Sequence, residues 1–156
     1  MVQGLRLFAI AAVLMLAACV SPPQEGMVNG PLPPQPPGTA RLIFYRGPDY
    51  TNTTAMSTVF LNGAATGVSQ IAAAFFRDVA PGRYDISVFS PRAYPDQFKT
   101  VVVKAGDAFY IRIDALPKLP CTRLPFDPCS SDTFIVTAVD PALGYQEIQG
   151  LRLIAG

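Results

Sequence analysis

The feature that most constrains this chain is a two-residue rhythm that starts near Ala40 and recurs almost to the C-terminus. It is cleanest in Arg83–Ser90. Tyr84, Ile86 and Val88 share one parity there, and Arg83, Asp85 and Ser87 share the other. Strand side chains alternate between sheet faces, so this segment offers one apolar face and one polar face. A helix needs an apolar recurrence every three to four residues, and no segment after Val20 sustains one.

Comparable runs lie on either side. Leu42–Tyr45 is apolar on both parities and stops at Gly47-Pro48. Val59 and Leu61 lead into Asn62-Gly63, the pair that supplies the positive φ angles of a tight hairpin. Gly67 and Val68 fall on the returning strand. Ala73–Val79 carries Phe75 and Phe76, one ring for each sheet face, so one of them stands exposed unless something covers it. Pro81-Gly82 turns the chain. Phe98–Lys104 holds three consecutive valines, and Gly106-Asp107 turns again. Ala108–Asp114 directs Phe109, Ile111 and Ile113 inward and Tyr110, Arg112 and Asp114 outward. Phe134–Val139 is the last strong strand. Asp140 caps a single helical turn starting at Pro141. Tyr145–Ile154 reads as a final strand or as a loop packing back on the sheet. Turns spaced near every ten residues predict an all-β fold, a single antiparallel β-sandwich of about seven or eight strands over residues 40–156.

Residues 1–18 follow a different logic. Arg6 is their only charge, Leu7–Ala18 is unbroken apolar sequence, and Ala17-Ala18 precede Cys19. A basic start, a short apolar middle and small residues at the end describe a cleaved secretory signal. The apolar run falls short of the roughly 20 residues that span a bilayer, and it is apolar on every side, unlike a surface helix. Leu16-Ala17-Ala18-Cys19 resembles the bacterial lipobox. That resemblance implies a diacylglyceryl group on the Cys19 sulfur, cleavage before Cys19 with Leu16, Ala17 and Ala18 as the peptidase recognition residues, and acylation of the new amine. One acyl chain binds a membrane reversibly, whereas two or three hold firmly. The same family's sorting rule retains proteins with Asp after the cysteine in the inner membrane. Val20 stands there, which implies outer-membrane delivery. The sorting rule does not set the face, and the periplasmic side is expected over the cell surface.

Residues 19–39 contain seven prolines with Gly26, Gly30 and Gly38 among them. Such a composition buries no core and stays extended, partly as polyproline II. At about 3.1 Å per residue, some twenty residues reach roughly 60 Å. The segment reads as a tether lifting a domain off the lipid, with a PxxP ligand at Pro31–Pro34 as the alternative.

Beyond it, Ala40–Arg46, Val59–Gly63 with Gly67, Val79–Tyr84 and Ala105–Arg112 together resemble a domain family of unknown function found in short Gram-negative lipoproteins. The strand, Pro-Gly-x-Tyr, strand order is also similar to carboxypeptidase-regulatory and PEGA-type β-sandwiches. The resemblance covers about Ala40–Ala115. It implies fold and location, and it carries no functional residues.

Cys121 and Cys129 remain once Cys19 is acylated. In an exported domain they are expected to form a disulfide. Closing so short a loop stabilises by roughly 2.5 kcal/mol on the chain-entropy estimate. Redox-active pairs sit closer together, at a helix start.

Histidine is absent. Ser-His-Asp and Cys-His chemistry are thereby excluded, as is the commonest zinc ligand. Phosphate-cradling glycine motifs are also missing. Loss of residues 1–18 leaves eleven basic and eleven acidic groups, with no basic stripe to suit nucleic acid. Asp85, Asp107 and Asp114 lie on strand faces or turns where solvated acids are ordinary. Tyr45, Tyr50, Tyr94 and Tyr110 offer a sugar-stacking platform or, more commonly for strand tyrosines, half-buried packing. The combined expectation is a non-enzymatic domain without cofactor or metal, bearing covalent lipid on Cys19 and acting through protein contacts in the cell envelope. A glycan- or peptidoglycan-binding module is the alternative, and a carboxylate-dependent hydrolase is the third reading.

Overall fold

The computed structural model describes residues 26–48, 54–90, 95–116 and 133–155. Ten strands and one short helix build two facing sheets. In chain order the strands are β1 (Gly26–Met27), β2 (Ala40–Arg46), β3 (Ser57–Leu61), β4 (Ala64–Ser69), β5 (Ala73–Val79), β6 (Gly82–Val88), β7 (Phe98–Val103), β8 (Ala108–Leu116), β9 (Thr133–Val139) and β10 (Arg152–Leu153). The helix α1 is Pro141–Glu147. The first sheet runs β1-β10-β5-β2-β8-β9, and the second runs β4-β3-β6-β7. The all-β sandwich read from the alternation is the fold of the chain.

The core between the sheets comes from the parity the sequence assigns. Leu42 and Phe44 on β2, Val59 on β3, Ile86 on β6 and Ile111 and Ile113 on β8 are all completely enclosed there. Phe44 and Phe75 stack with ring centroids 5.0 Å apart. Burying each such side chain contributes about 1.5–3 kcal/mol, so this layer dominates the favourable side of folding.

Turn chemistry behaves as the residues dictate. Asn62 and Gly63 adopt φ of 51° and 80°, and Leu61 pairs with Ala64 directly across the two-residue loop. The pairing then shifts between Val59 and Phe60, so that Val59 faces Gly67. A Cβ on Gly67 would stand 2.5 Å from two atoms of the Phe75 ring. Glycine at this position is what lets Phe75 reach the core.

Two pairings depart from the antiparallel expectation. β2 runs parallel to β8, and β10 runs parallel to β5. The first goes with burial on both faces, which does not by itself set strand direction, since β2 pairs antiparallel with β5. Every residue of β2 is buried, so its near-continuous apolar run serves both sheet faces, the pattern of a strand covered on both sides.

The second cover is the C-terminal segment. Asp140 accepts hydrogen bonds from the Ala142 and Leu143 backbone amides at 2.9 and 3.4 Å, and Pro141 opens α1. After α1 the chain packs back across the outer face of the first sheet, burying Ile148, Leu151 and Leu153 against Ile43, Tyr45 and Tyr110. Tyr110, expected to point outward, does lie on that outer face, but it is 7% exposed because α1 covers it. Phe76 lies on the same face, packed against this second cluster beneath the Arg41 guanidinium at 4.1 Å.

The described part of the expected tether, residues 26–39, is likewise folded. Gly26 and Met27 pair with Leu153 and Arg152, Val28 is buried, and Leu32 packs against the second cluster. Among the described residues, paired backbone thus extends back to Gly26, within the segment 19–39 that the prolines mark as a tether. A proline lacks only its own N–H, and Gly26–Gly30, where the pairing amides lie, contains none.

Candidate functional site

The two sheets differ in what covers their outer faces. α1 and the C-terminal residues cover the first sheet. On the second, the outward residues of β6 and β7 are matched by register. Phe60 faces Ser87, and Ser87 faces Phe98. Asp85 faces Thr100, whose hydroxyl donates to Asp85 Oδ1 at 2.7 Å. Arg83 faces Val102. Thr58 faces Val68, and the Phe89 amide donates to the Thr58 carbonyl at 2.8 Å.

This face carries apolar side chains where an antiparallel sheet in water ordinarily carries polar ones. Phe89 is 59% exposed, Phe98 56% and Val102 63%. Val68 adds a further exposed apolar group at the β4 edge. Small Ser87 lies between the Phe60 and Phe98 positions. A grouped apolar surface of this kind is the usual signature of a macromolecular contact. Its charged members, Arg83 and Asp85, approach each other to 3.9 Å and remain exposed on the interior strand β6, so the Asp85–Thr100 pair separates Phe98 from Val102.

A polar cluster lies elsewhere, beneath α1. The Tyr45 hydroxyl donates to Glu147 Oε2 at 2.5 Å. Arg112 Nη1 donates to Glu147 Oε1 at 3.0 Å, and Arg112 Nε donates to Asp114 Oδ2 at 3.0 Å. Burial, then the hydrogen bond to Glu147 and its charge, push the Tyr45 phenol above the ordinary tyrosine range. Desolvation pulls the Arg112 guanidinium down, but the Asp114 hydrogen bond and the Asp114 and Glu147 charges outweigh it and hold it above its usual value. The chemistry is that of a clamp. One guanidinium neutralises two carboxylates and ties the end of α1 to β2 and β8.

The acids considered from sequence are dispersed. Asp85 sits on the outer face of the second sheet, Asp107 accepts from the Lys104 amide in the turn before β8, and Asp114 belongs to the clamp. The described residues include no group of three or more His, Cys, Asp or Glu able to hold a metal ion. Tyr45 and Tyr110 are both buried under α1 and present no ring to solvent. Tyr50 and Tyr94 lie outside the described residues, as do Leu16, Ala17, Ala18, Cys19, Val20, Cys121 and Cys129. No helix among the described residues is long and apolar enough to cross a membrane.

The exposed face was not singled out from sequence, although a signal exists. Phe98 and Val102 share a parity opposite to Val101 and Val103, so this strand is apolar on both sides. No protein family, curated protein or solved structure matches this chain.

Proposed function

We propose that this chain is a lipid-anchored protein of the bacterial cell envelope whose β-sandwich works by binding another envelope protein through the outer face of its second sheet. Cleavage before Cys19 and acylation of that residue fasten it to the membrane, and Val20 directs it to the outer membrane, facing the periplasm. The single observation that carries the binding role is the contrast between an outer face of the second sheet on which Phe89, Phe98 and Val102 are exposed and which no other described element covers, and an opposite sheet closed by α1. Exposed apolar groups gathered on one sheet face are the usual mark of a surface kept for a partner. Support for a non-catalytic role comes from the ion pairs that engage Asp78, Asp114 and Glu147, and from the absence of histidine.

The test is site-specific photocrosslinking in the native envelope. A photoreactive residue at Val102 should give discrete adducts of higher mass, and one at Ala142 on α1 should not. Equal labelling at both positions, or none at Val102, removes the binding face. Turnover of a cell-wall substrate by the purified mature protein, abolished by one carboxylate substitution, would show that the domain is an enzyme instead.

A further inference from the structure

Residues 26–34 are fastened along their length. Beyond the β1 pairing, the Val28 amide donates to the Leu151 carbonyl at 2.8 Å, and the Gly150 amide donates to the Val28 carbonyl at 2.8 Å. The Gly30 amide donates to Gln149 Oε1 at 2.8 Å. Further on, Arg41 donates through Nη1 to the Pro33 carbonyl and through Nη2 to the Pro34 carbonyl at 3.4 Å. Proline has no N–H, but its carbonyl remains an acceptor, and the strap uses that.

A strapped segment adds no reach. Between Cys19 and Gly26 only residues 20–25 intervene, so the two α-carbons lie at most about 25 Å apart. The proline tract counted as free chain would give more than twice that. The sheet order then fixes which side lies nearest the anchor. β1 is one edge of the first sheet and β9 the other, five strand spacings or about 24 Å away. At the β1 edge, Gly26, Met27, Arg152, Leu153 and Ile154 line an open groove of about 280 Å³. Met27 is 56% exposed there, and Arg152 is exposed beside it. An exposed apolar side chain next to a cation suits the bilayer interface, where the one enters the acyl boundary and the other meets phosphate.

We propose that the β1/β10 edge, with Met27 and Arg152, is a lipid-contact surface that seats the domain directly on the bilayer. This rests on acylation of Cys19. The proline-rich segment then acts as a strap across the first sheet, and the bare face of the second sheet is carried beside the membrane rather than against it.

The chain contains no tryptophan, so Met27→Trp introduces a single indole. The full mature protein, with acylation of Cys19 verified by mass spectrometry on the same sample, is reconstituted into phosphatidylethanolamine–phosphatidylglycerol vesicles containing lipids brominated near the headgroup. The indole at position 27 should lose most of its emission and shift to the blue. A Val102→Trp reporter on the second sheet should keep its emission. Acylated protein with position 27 unquenched, or with both positions quenched alike, overturns the edge assignment while leaving the anchor in place. A bare N-terminus overturns the anchor, and the edge assignment with it. Emission that stays bright in vesicles but is shielded from aqueous quencher in intact envelopes assigns the groove to a protein and overturns the lipid contact.

Discussion

Arg41 and Asp78 stand directly opposite each other on β2 and β5, and their side chains close a two-point ion pair, Nε to Oδ1 at 2.6 Å and Nη2 to Oδ2 at 2.8 Å. The Arg41 side chain is 6% exposed and that of Asp78 20%. Removing one member of a pair this enclosed leaves the other charge without compensation. Asp78→Asn should therefore lower the unfolding free energy by about 2–3 kcal/mol, somewhat below the fully buried case because Asp78 retains some water. Urea denaturation measures it, and an unchanged midpoint would contradict the ion pair's role.

Gly144 faces Tyr110 across the α1–β8 contact. A Cβ at Gly144 would lie within 2.7 Å of Tyr110 Cδ1 and closer still to its Cβ and Cγ, atoms too near the backbone to move aside. Helix propensity alone makes Gly144→Ala stabilising by about 1 kcal/mol. Overpacking opposes it, and a net loss of about 1–3 kcal/mol is the expected outcome. The sign, read from thermal unfolding, decides between the two effects.

Tyr45 and Tyr110 make stability sensitive to alkali. Burial is the largest cause of the upward shift in both. Below pH about 10 both states keep these protons, and the contribution is complete. Above it the unfolded chain releases protons that the folded chain retains, so stability falls as pH rises through the folded-state values. Tyr45→Phe should cost about 1 kcal/mol at pH 8 through the lost hydrogen bond to Glu147. It should also flatten the decline above pH 10. Urea midpoints of both proteins at pH 8 and pH 11 test this, and parallel losses would exclude Tyr45 as the source.

The acylation proposed for Cys19 and the bridge expected between Cys121 and Cys129 give two further outcomes. Cys19→Ala should remove incorporation of labelled fatty acid and leave the leader attached, as read by mass spectrometry. A retained label would place lipidation elsewhere. Cys121→Ser should lower stability by about 2.5 kcal/mol only under oxidising conditions. Identical melting of the wild-type protein with and without reductant would argue against a Cys121–Cys129 bridge.

Much of the sandwich was legible because alternation is a local signal. Tyr84, Ile86 and Val88 show their buried parity without reference to any other strand, and Asn62-Gly63 and Asp140-Pro141 carry turn and cap chemistry in two residues each. What stayed hidden depends on distant partners. Nothing near Leu42 announces that its strand lies parallel to one beginning at Ala108. The fastening of residues 26–34 relies on Leu151, Gln149 and the Arg41 side chain, none of which is a neighbour in sequence. The exposed face follows the same rule. Phe98 and Val102 reveal a doubly apolar strand, but only the course of Ile148–Leu153 decides that, among the described residues, it is the first sheet that is covered.

The N-terminal strand takes its backbone partners from residues 150–153, the closing stretch of the chain. Residues 26–28 therefore have no edge to join until the chain has been made through residue 153, more than a hundred positions later. This border of the first sheet can close only after the intervening strands exist, which makes it a late step in assembly of the domain.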